Sequence, residues 1–211
     1  MSLILQGSTS GSVTLQEPAV AGTTVLTLPA TSGNVVVDSA TQTLTNKTIQ
    51  GGTITSGTAV ASTSGTSIDF TSIPSWVKRI TVMFNGVSTS GSSQLQVQIG
   101  SGSVTTTGYN SVAFYGLASA VQFQSATTGF ILEPSGNATS STVRYGSLIL
   151  SSFGSNTWAS QGMIFPSVSA TLLISDTGIS PALSGALDQV RITTLNGTDT
   201  FDAGTINILY E

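Results

Sequence analysis

Short segments in which apolar residues alternate with polar ones recur along this chain, and they constrain its fold more than any other feature. In the segment QLQVQI at 94–99 every second residue is apolar, which predicts a half-buried strand. The segment WVKRITVMF at 76–84 alternates in the same way over its second half. The residues predicted to share a buried face are Ile80, Val82 and Phe84 in one segment and Leu95, Val97 and Ile99 in the other.

The remainder of 58–211 repeats this pattern at intervals typical of an antiparallel β domain. Turn sequences such as Asn85-Gly86 and Asn196-Gly197 separate the apolar segments, and no segment has the length and periodicity of a crossover helix. Further strands are predicted at 111–115, 121–124, 130–132, 143–150, 157–165, 170–174, 190–195 and 205–210. These features predict an all-β fold, with an antiparallel β-sandwich of the jelly-roll type at 58–211.

The first 57 residues contain only short strand fragments separated by Gly, Pro and Ser. Each fragment is too short to bury a core alone, so the segment is either disordered or ordered by pairing with copies of itself or with a larger assembly. We favour ordering by partners and assign 1–57 to anchoring and trimerisation. The apolar residues predicted to anchor it are Leu15, Leu28, Leu44 and Ile49.

Charge and hydropathy exclude several classes of partner. The chain has 5 Lys plus Arg against 9 Asp plus Glu, with a net charge of −4, so it offers no basic patch for nucleic acid. It has no run of about 20 apolar residues for a membrane helix, and its start lacks the basic and apolar regions of a signal peptide. We therefore expect synthesis in a cytoplasm, without membrane insertion. Nearly a third of the residues are Ser or Thr, which favours strands over helices.

The chain has no His and no Cys, which removes most catalytic and metal-binding arrangements. Ser-His-Asp and Cys-His nucleophiles and His- or Cys-ligated metal sites are excluded, and no cofactor motif is present. A carboxylate pair remains available for glycoside hydrolysis. The two acidic residues closest in sequence are Asp199 and Asp202, which allow two interpretations, a catalytic acid pair or part of a calcium loop. Their neighbouring Gly residues favour turn chemistry instead. We therefore predict a non-enzymatic protein without cofactor or metal.

Exposed aromatic side chains would give the chain a surface for sugar rings. We take Tyr109, Tyr115 and Trp158 as candidate receptor contacts. Trp76 precedes a predicted core strand, so it is interpreted as a packing residue.

Two parts of the sequence resemble proteins of tailed bacteriophages. The segment TQTLTNKTI at 41–49 resembles a motif of tail-fibre and other virion proteins, and the residues before it, from 7 to 29, are similar to the leader of that motif. The body resembles a recurrent phage module that opens with IDFTSIPSWVKRI at 68–80 and closes with NGTDTFDAGTINILYE at 196–211. Together these segments extend over nearly the whole chain.

The resemblance implies a homotrimer that is attached to the virion, either to a tail adaptor or to the capsid, by its N-terminal part and displays a β-sandwich outward. On this basis we predict a short tail fibre that contributes to adhesion, with host surface polysaccharide as its partner. A head fibre or capsid decoration protein is the alternative within the same class. A polysaccharide-degrading tail spike is the alternative from the class of enzymes.

Overall fold

The computed structural model describes residues 3–6, 9–15, 23, 54–116, 121–167 and 173–211. The chain divides into two compact units, Met1–Thr48 and Ile49–Glu211. In the first unit, β1 (Leu3–Gln6) and β2 (Ser12–Leu15) form an antiparallel hairpin. Leu15 ends β2, whereas the other predicted anchoring residues, Leu28, Leu44 and Ile49, lie outside the described residues.

The described part of the second unit is built from β-strands, with one short 3₁₀ turn at Ser135–Asn137 and no α-helix. The strands are β3 (Thr55–Ser56), β4 (Val60–Ala61), β5 (Ser67–Phe70), β6 (Arg79–Thr89), β7 (Leu95–Ser101), β8 (Ser103–Val104), β9 (Asn110–Gly116), β10 (Val121–Ala126), β11 (Phe130–Ile131), β12 (Arg144–Gly154), β13 (Thr157–Pro166), β14 (Ile174–Ile179), β15 (Gln189–Thr194) and β16 (Phe201–Tyr210). The predicted all-β class is confirmed.

The described strands of the second unit form two antiparallel sheets. The large sheet has the order β10-β9-β14-β13-β12-β6-β16-β3, with β4 also paired to β16. The small sheet has the order β11-β7-β15-β5, with β8 paired to β7. Side chains from both sheets share one hydrophobic core, so the sheets pack face to face as a β-sandwich.

Eight of these strands pair in a nested order along the chain. The innermost pair is β7 with β11, followed outward by β6 with β12, β5 with β15 and β4 with β16. A long hairpin that rolls up in this way places alternate pairs in opposite sheets, which is the connectivity of a jelly roll. Two insertions, β9–β10 and β13–β14, extend the large sheet beyond β12.

The core follows the predicted alternation of β6. Ile80, Val82 and Phe84 are buried, and Leu148 and Leu150 of the neighbouring β12 lie beside them on the same face. Because successive side chains of a strand point to opposite faces, the residues between them face away from the core.

Strand β7 departs from its predicted half-buried state, because its Gln side chains are buried too. The Nε2 of Gln98 donates to the carbonyl of Thr128 at 2.8 Å, and the Thr128 hydroxyl donates to Oε1 of Gln96 at 2.8 Å. The loop before β11 therefore covers the second face of β7 and satisfies its amides.

Three sequence boundaries also differ from the structure. Asn85-Gly86 is not a turn, because both residues lie within β6, where the register shifts at Gly86. Of the strand predicted at 170–174, residues 170–172 lie outside the described residues, and the described strand begins at Ile174 and continues to Ile179. Thr55 and Ser56, which we assigned to the N-terminal segment, pair with Tyr210 and Leu209 in the large sheet.

Candidate functional site

The three aromatic residues predicted to contact a receptor are buried. Tyr109 is 2% exposed and Trp158 is 4% exposed, and Tyr115 belongs to the same hydrophobic core. The Tyr109 ring packs edge-on against Phe130, with 5.0 Å between the ring centroids. Rings enclosed in this way cannot stack on a sugar at the surface, so the assignment of these residues as receptor contacts is wrong for the fold described.

Trp76, interpreted from sequence as a packing residue, is instead 50% exposed. Its ring lies 5.9 Å from that of Tyr210, at an interplanar angle of 51°. Trp76 precedes β6 rather than lying within it, so strand alternation does not turn its side chain inward. The pair forms an exposed aromatic corner at the end of the last strand.

A larger group of exposed apolar side chains lies on the side of the large sheet that faces away from the core. We call it the outer apolar face, and its members are Val121, Phe123, Phe114, Met163, Phe165, Tyr145 and Leu173.

Strand register makes the outer apolar face continuous. Met163 is the register partner of Ser175, Ser175 is the partner of Phe114, and Phe114 is the partner of Phe123. Tyr145 and Phe165 are partners in the adjoining row. Side chains directly opposite one another on neighbouring strands are about 5 Å apart at Cβ, so they form one surface.

This face carries no exposed charge. The only charged residues in the five strands that form it are Arg144 and Asp176, and both are buried. This surface has no direct signal in the sequence, because β9 has apolar residues on both faces: Ala113 and Tyr115 point inward, and Phe114 points outward. The surface follows only from the pairing of β9 with the exposed β10.

Two open depressions that share Tyr210 lie at the opposite edge of the large sheet, and we call them together the edge cleft. One part, of about 390 Å³, is lined by Ser56, Asp69, Ser72 and Tyr210 among other residues. A second part, of about 210 Å³, is lined by Arg79, Glu211 and the same Tyr210. Tyr210 therefore lines both parts, and its ring lies 5.9 Å from that of the exposed Trp76, which lines neither.

Two ion pairs fix the charged groups of the edge cleft. Asp69 accepts hydrogen bonds from Nε and Nη2 of Arg191, at 2.7 and 3.0 Å. Nη1 of Arg79 lies 3.0 Å from Oε1 of Glu211. Both pairs are partly exposed, so they contribute little to stability but hold polar groups in fixed orientations at the surface.

The carboxylates with perturbed acidity lie elsewhere, inside the sandwich. Burial raises the pKa of Asp176 to about 8, and burial also raises the pKa of Glu133, with the Arg144 guanidinium opposing the shift. Neither carboxylate is open to solvent. A sugar at the surface of the unit therefore cannot reach either group.

The sequence-adjacent acids Asp199 and Asp202 differ in their roles. Asp199 closes the turn after β15, accepting hydrogen bonds from the Ser93 amide at 2.9 Å and from Nδ2 of Asn196 at 2.8 Å. Asp202 lies within β16 and accepts a hydrogen bond from the Ser88 hydroxyl. Asp199 is therefore a turn residue, as predicted, whereas Asp202 is a strand residue.

Within the described part of the chain, no three His, Cys, Asp or Glu residues are grouped so that they could hold a metal ion. The described ranges also contain no helix with the length and hydropathy needed to span a bilayer.

Comparison of the chain with protein-family models, with curated proteins and with solved structures finds no match.

Proposed function

We propose that this chain is a structural protein of a tailed-phage virion, a short homotrimeric tail fibre. Its N-terminal segment attaches to other virion proteins, and its C-terminal sandwich is displayed outward and adheres to host surface polysaccharide. The observation that carries the proposal is that the sandwich exposes an apolar face and an open cleft, while the carboxylates with raised pKa are buried. The resemblance of 41–49 to a virion motif supports the same class.

The edge cleft has the chemistry that a polysaccharide requires. Sugar rings present apolar faces that pack on aromatic rings, and Trp76 with Tyr210 supplies such a surface. Sugar hydroxyls need fixed donors and acceptors, and Ser56, Ser72 and Asp69 line the adjoining space. We therefore place the adhesive contact at the edge cleft rather than at the three buried aromatic residues.

Glycan binding by single-site variants tests this placement. Trp76→Ala is expected to weaken binding of the full chain to host cells or to isolated surface polysaccharide by at least 10-fold, without changing its oligomeric state. Phe153→Ala is the matched control, since Phe153 is 77% exposed and lies where β12 turns into β13. Equal loss of binding in both variants, or no loss in Trp76→Ala, would reject the cleft as the receptor site.

Electron microscopy of labelled particles distinguishes the tail fibre from the head fibre or capsid decoration. Label at the tail is expected. Label on the capsid would instead assign the same sandwich to the head, where the N-terminal segment would attach to a capsid protein.

The trimer and the absence of catalysis have separate tests. The purified chain is expected at about three times its mass of 21.4 kDa, and a single-chain mass would contradict the homotrimer. Incubation with host capsule or lipopolysaccharide is expected to release no oligosaccharide. Release of oligosaccharide would favour the tail-spike enzyme.

A further inference from the structure

We propose that the outer apolar face is the surface through which copies of the C-terminal unit pack against one another. This inference rests on the homotrimer of the proposed function and adds the residues that make the contact. Its occupant is a second copy of this chain.

The size of the face matches that of an interface between proteins. At about 200 Å² for each fully exposed large side chain, its seven residues leave roughly 700 Å² of apolar surface in water. Stable interfaces bury about 800 Å² on each partner, and the largest patch on a typical monomer is about 300–600 Å². The face is therefore as large as the contribution of one copy to a stable oligomer.

The neighbouring sheet edge points to the same conclusion. Strand β10 is the last in its sheet and pairs, among the described strands, only with β9. Its sequence VQFQSA contains no Lys, no other charge and no Pro, which are the residues that normally protect an exposed edge from pairing. Phe123, on this strand, is 73% exposed. The outer apolar face and the unpaired edge of β10 therefore lie at the same corner of the sandwich, and neither carries a charge that would hinder pairing.

The chemistry of the face favours a protein copy over a sugar. The row of register partners from Met163 to Phe123 contains one polar side chain, Ser175, so it offers few groups for sugar hydroxyls. A charge-free apolar centre is instead typical of interfaces between identical chains. The edge cleft lies at the opposite end of the large sheet, so packing through the outer apolar face leaves the cleft open to a host surface.

Thiol labelling of the full chain tests the contact. The natural chain has no Cys, so Ser175→Cys places a single thiol within the face, and Ser64→Cys places one on the exposed loop between β4 and β5. In the assembled protein we expect a maleimide to label Ser175→Cys at least 10-fold more slowly than Ser64→Cys. Adding Phe123→Ser and Met163→Ser to Ser175→Cys is expected to restore fast labelling. Both added changes are at side chains at least half exposed, and circular dichroism checks that the variant folds.

Each outcome decides the proposal. Slow labelling that is relieved by the two serine substitutions supports it, even if the N-terminal segment still holds the chains together. Fast labelling of Ser175→Cys in a trimeric protein overturns the contact but leaves the homotrimer intact, because the mass is measured on the same sample. Slow labelling that persists in the triple variant also overturns it. A fast-labelling chain with a single-chain mass contradicts both the contact and the trimer.

Discussion

Glu133 and Arg144 form an ion pair from which water is excluded. Nε of Arg144 donates to Oε1 of Glu133 at 2.7 Å, and both side chains are fully buried. Oε1 of Glu133 also accepts from the Leu95 amide at 3.2 Å, and Nη1 of Arg144 donates to the Thr142 carbonyl at 3.1 Å. The pair thereby joins β7, the segment after β11 and the first residue of β12.

Removing one partner of this pair should destabilise the unit strongly. Arg144→Met leaves a buried carboxylate without its cation, and such changes typically cost about 3–5 kcal/mol. Denaturant unfolding measures this loss. The exposed pair of Arg79 with Glu211 provides the control, since Arg79→Met is expected to cost at most about 1 kcal/mol.

A double variant distinguishes the contribution of the ion pair to stability from that of side-chain packing. Glu133→Leu combined with Arg144→Met removes both charges, so we expect it to be more stable than Arg144→Met alone. A double variant less stable than the single one would show that the ion pair is not what makes Arg144 important.

Asp176 should make the stability of the unit depend on pH. Neither of its carboxylate oxygens has a hydrogen-bond partner among the described residues, and burial raises its pKa to about 8. Because the folded pKa lies above the unfolded value of 3.8, the folded state binds the proton more tightly. The stabilisation is complete below about pH 3.8 and is lost as the pH rises to about 8.

The slope of this effect is about 1.4 kcal/mol per pH unit at most. The free energy of unfolding is therefore expected to fall between pH 5 and pH 8 by several kcal/mol, and Asp176→Asn should make that fall smaller, with any remainder coming from Glu133, whose pKa burial also raises. Glu211→Gln, at an exposed site, is the control and should keep the slope. A wild-type stability that is constant over this range would contradict the assignment.

Alternation and turn spacing predicted the sandwich because most strands bury only one face. Alternation does not identify the buried face where both faces of a strand are covered or both are apolar. Gln96 and Gln98 are polar yet buried, since a neighbouring loop supplies their partners. The strand predicted at 170–174 ended before Asp176, which lies within β14.

The same limit explains why the sequence did not locate the outer apolar face. Tyr115 and Phe114 are adjacent aromatic residues, and only the phase of β9 relative to the core decides which is buried. That phase depends on pairing with strands far away in the chain. Trp158 was no easier to place, because it too lies in a strand whose buried face is set by its neighbours.

Gly204 of β16 lies opposite the bulge in β6, and we expect this position not to tolerate a side chain. Gly204 has a φ of +95°, and a Cβ there would overlap the carbonyl oxygen of Gly86. Both the backbone conformation and the space exclude other residues. Gly204→Ala is therefore expected to cost more than about 2 kcal/mol in the free energy of unfolding.

Gly197→Ala is the matched control for this prediction. Gly197 also has a positive φ, of +69°, but no atom lies within 4 Å of the position of its Cβ. Its substitution should cost about 1 kcal/mol, from backbone strain alone. Equal costs at the two positions would show that the close approach of the strands does not contribute.

The Tyr109 hydroxyl should matter for folding rather than for adhesion. It accepts a hydrogen bond from the Ile99 amide at 2.9 Å and donates to the Thr105 carbonyl at 3.0 Å, so it holds the β7–β8 hairpin to the core. Tyr109→Phe leaves these groups unpaired and should cost about 1–3 kcal/mol. Tyr145→Phe, at an exposed ring, should cost much less. Because the Tyr109 ring is enclosed, polysaccharide binding by the folded Tyr109→Phe variant should equal that of the wild type, and a selective loss of binding would place Tyr109 at the receptor site after all.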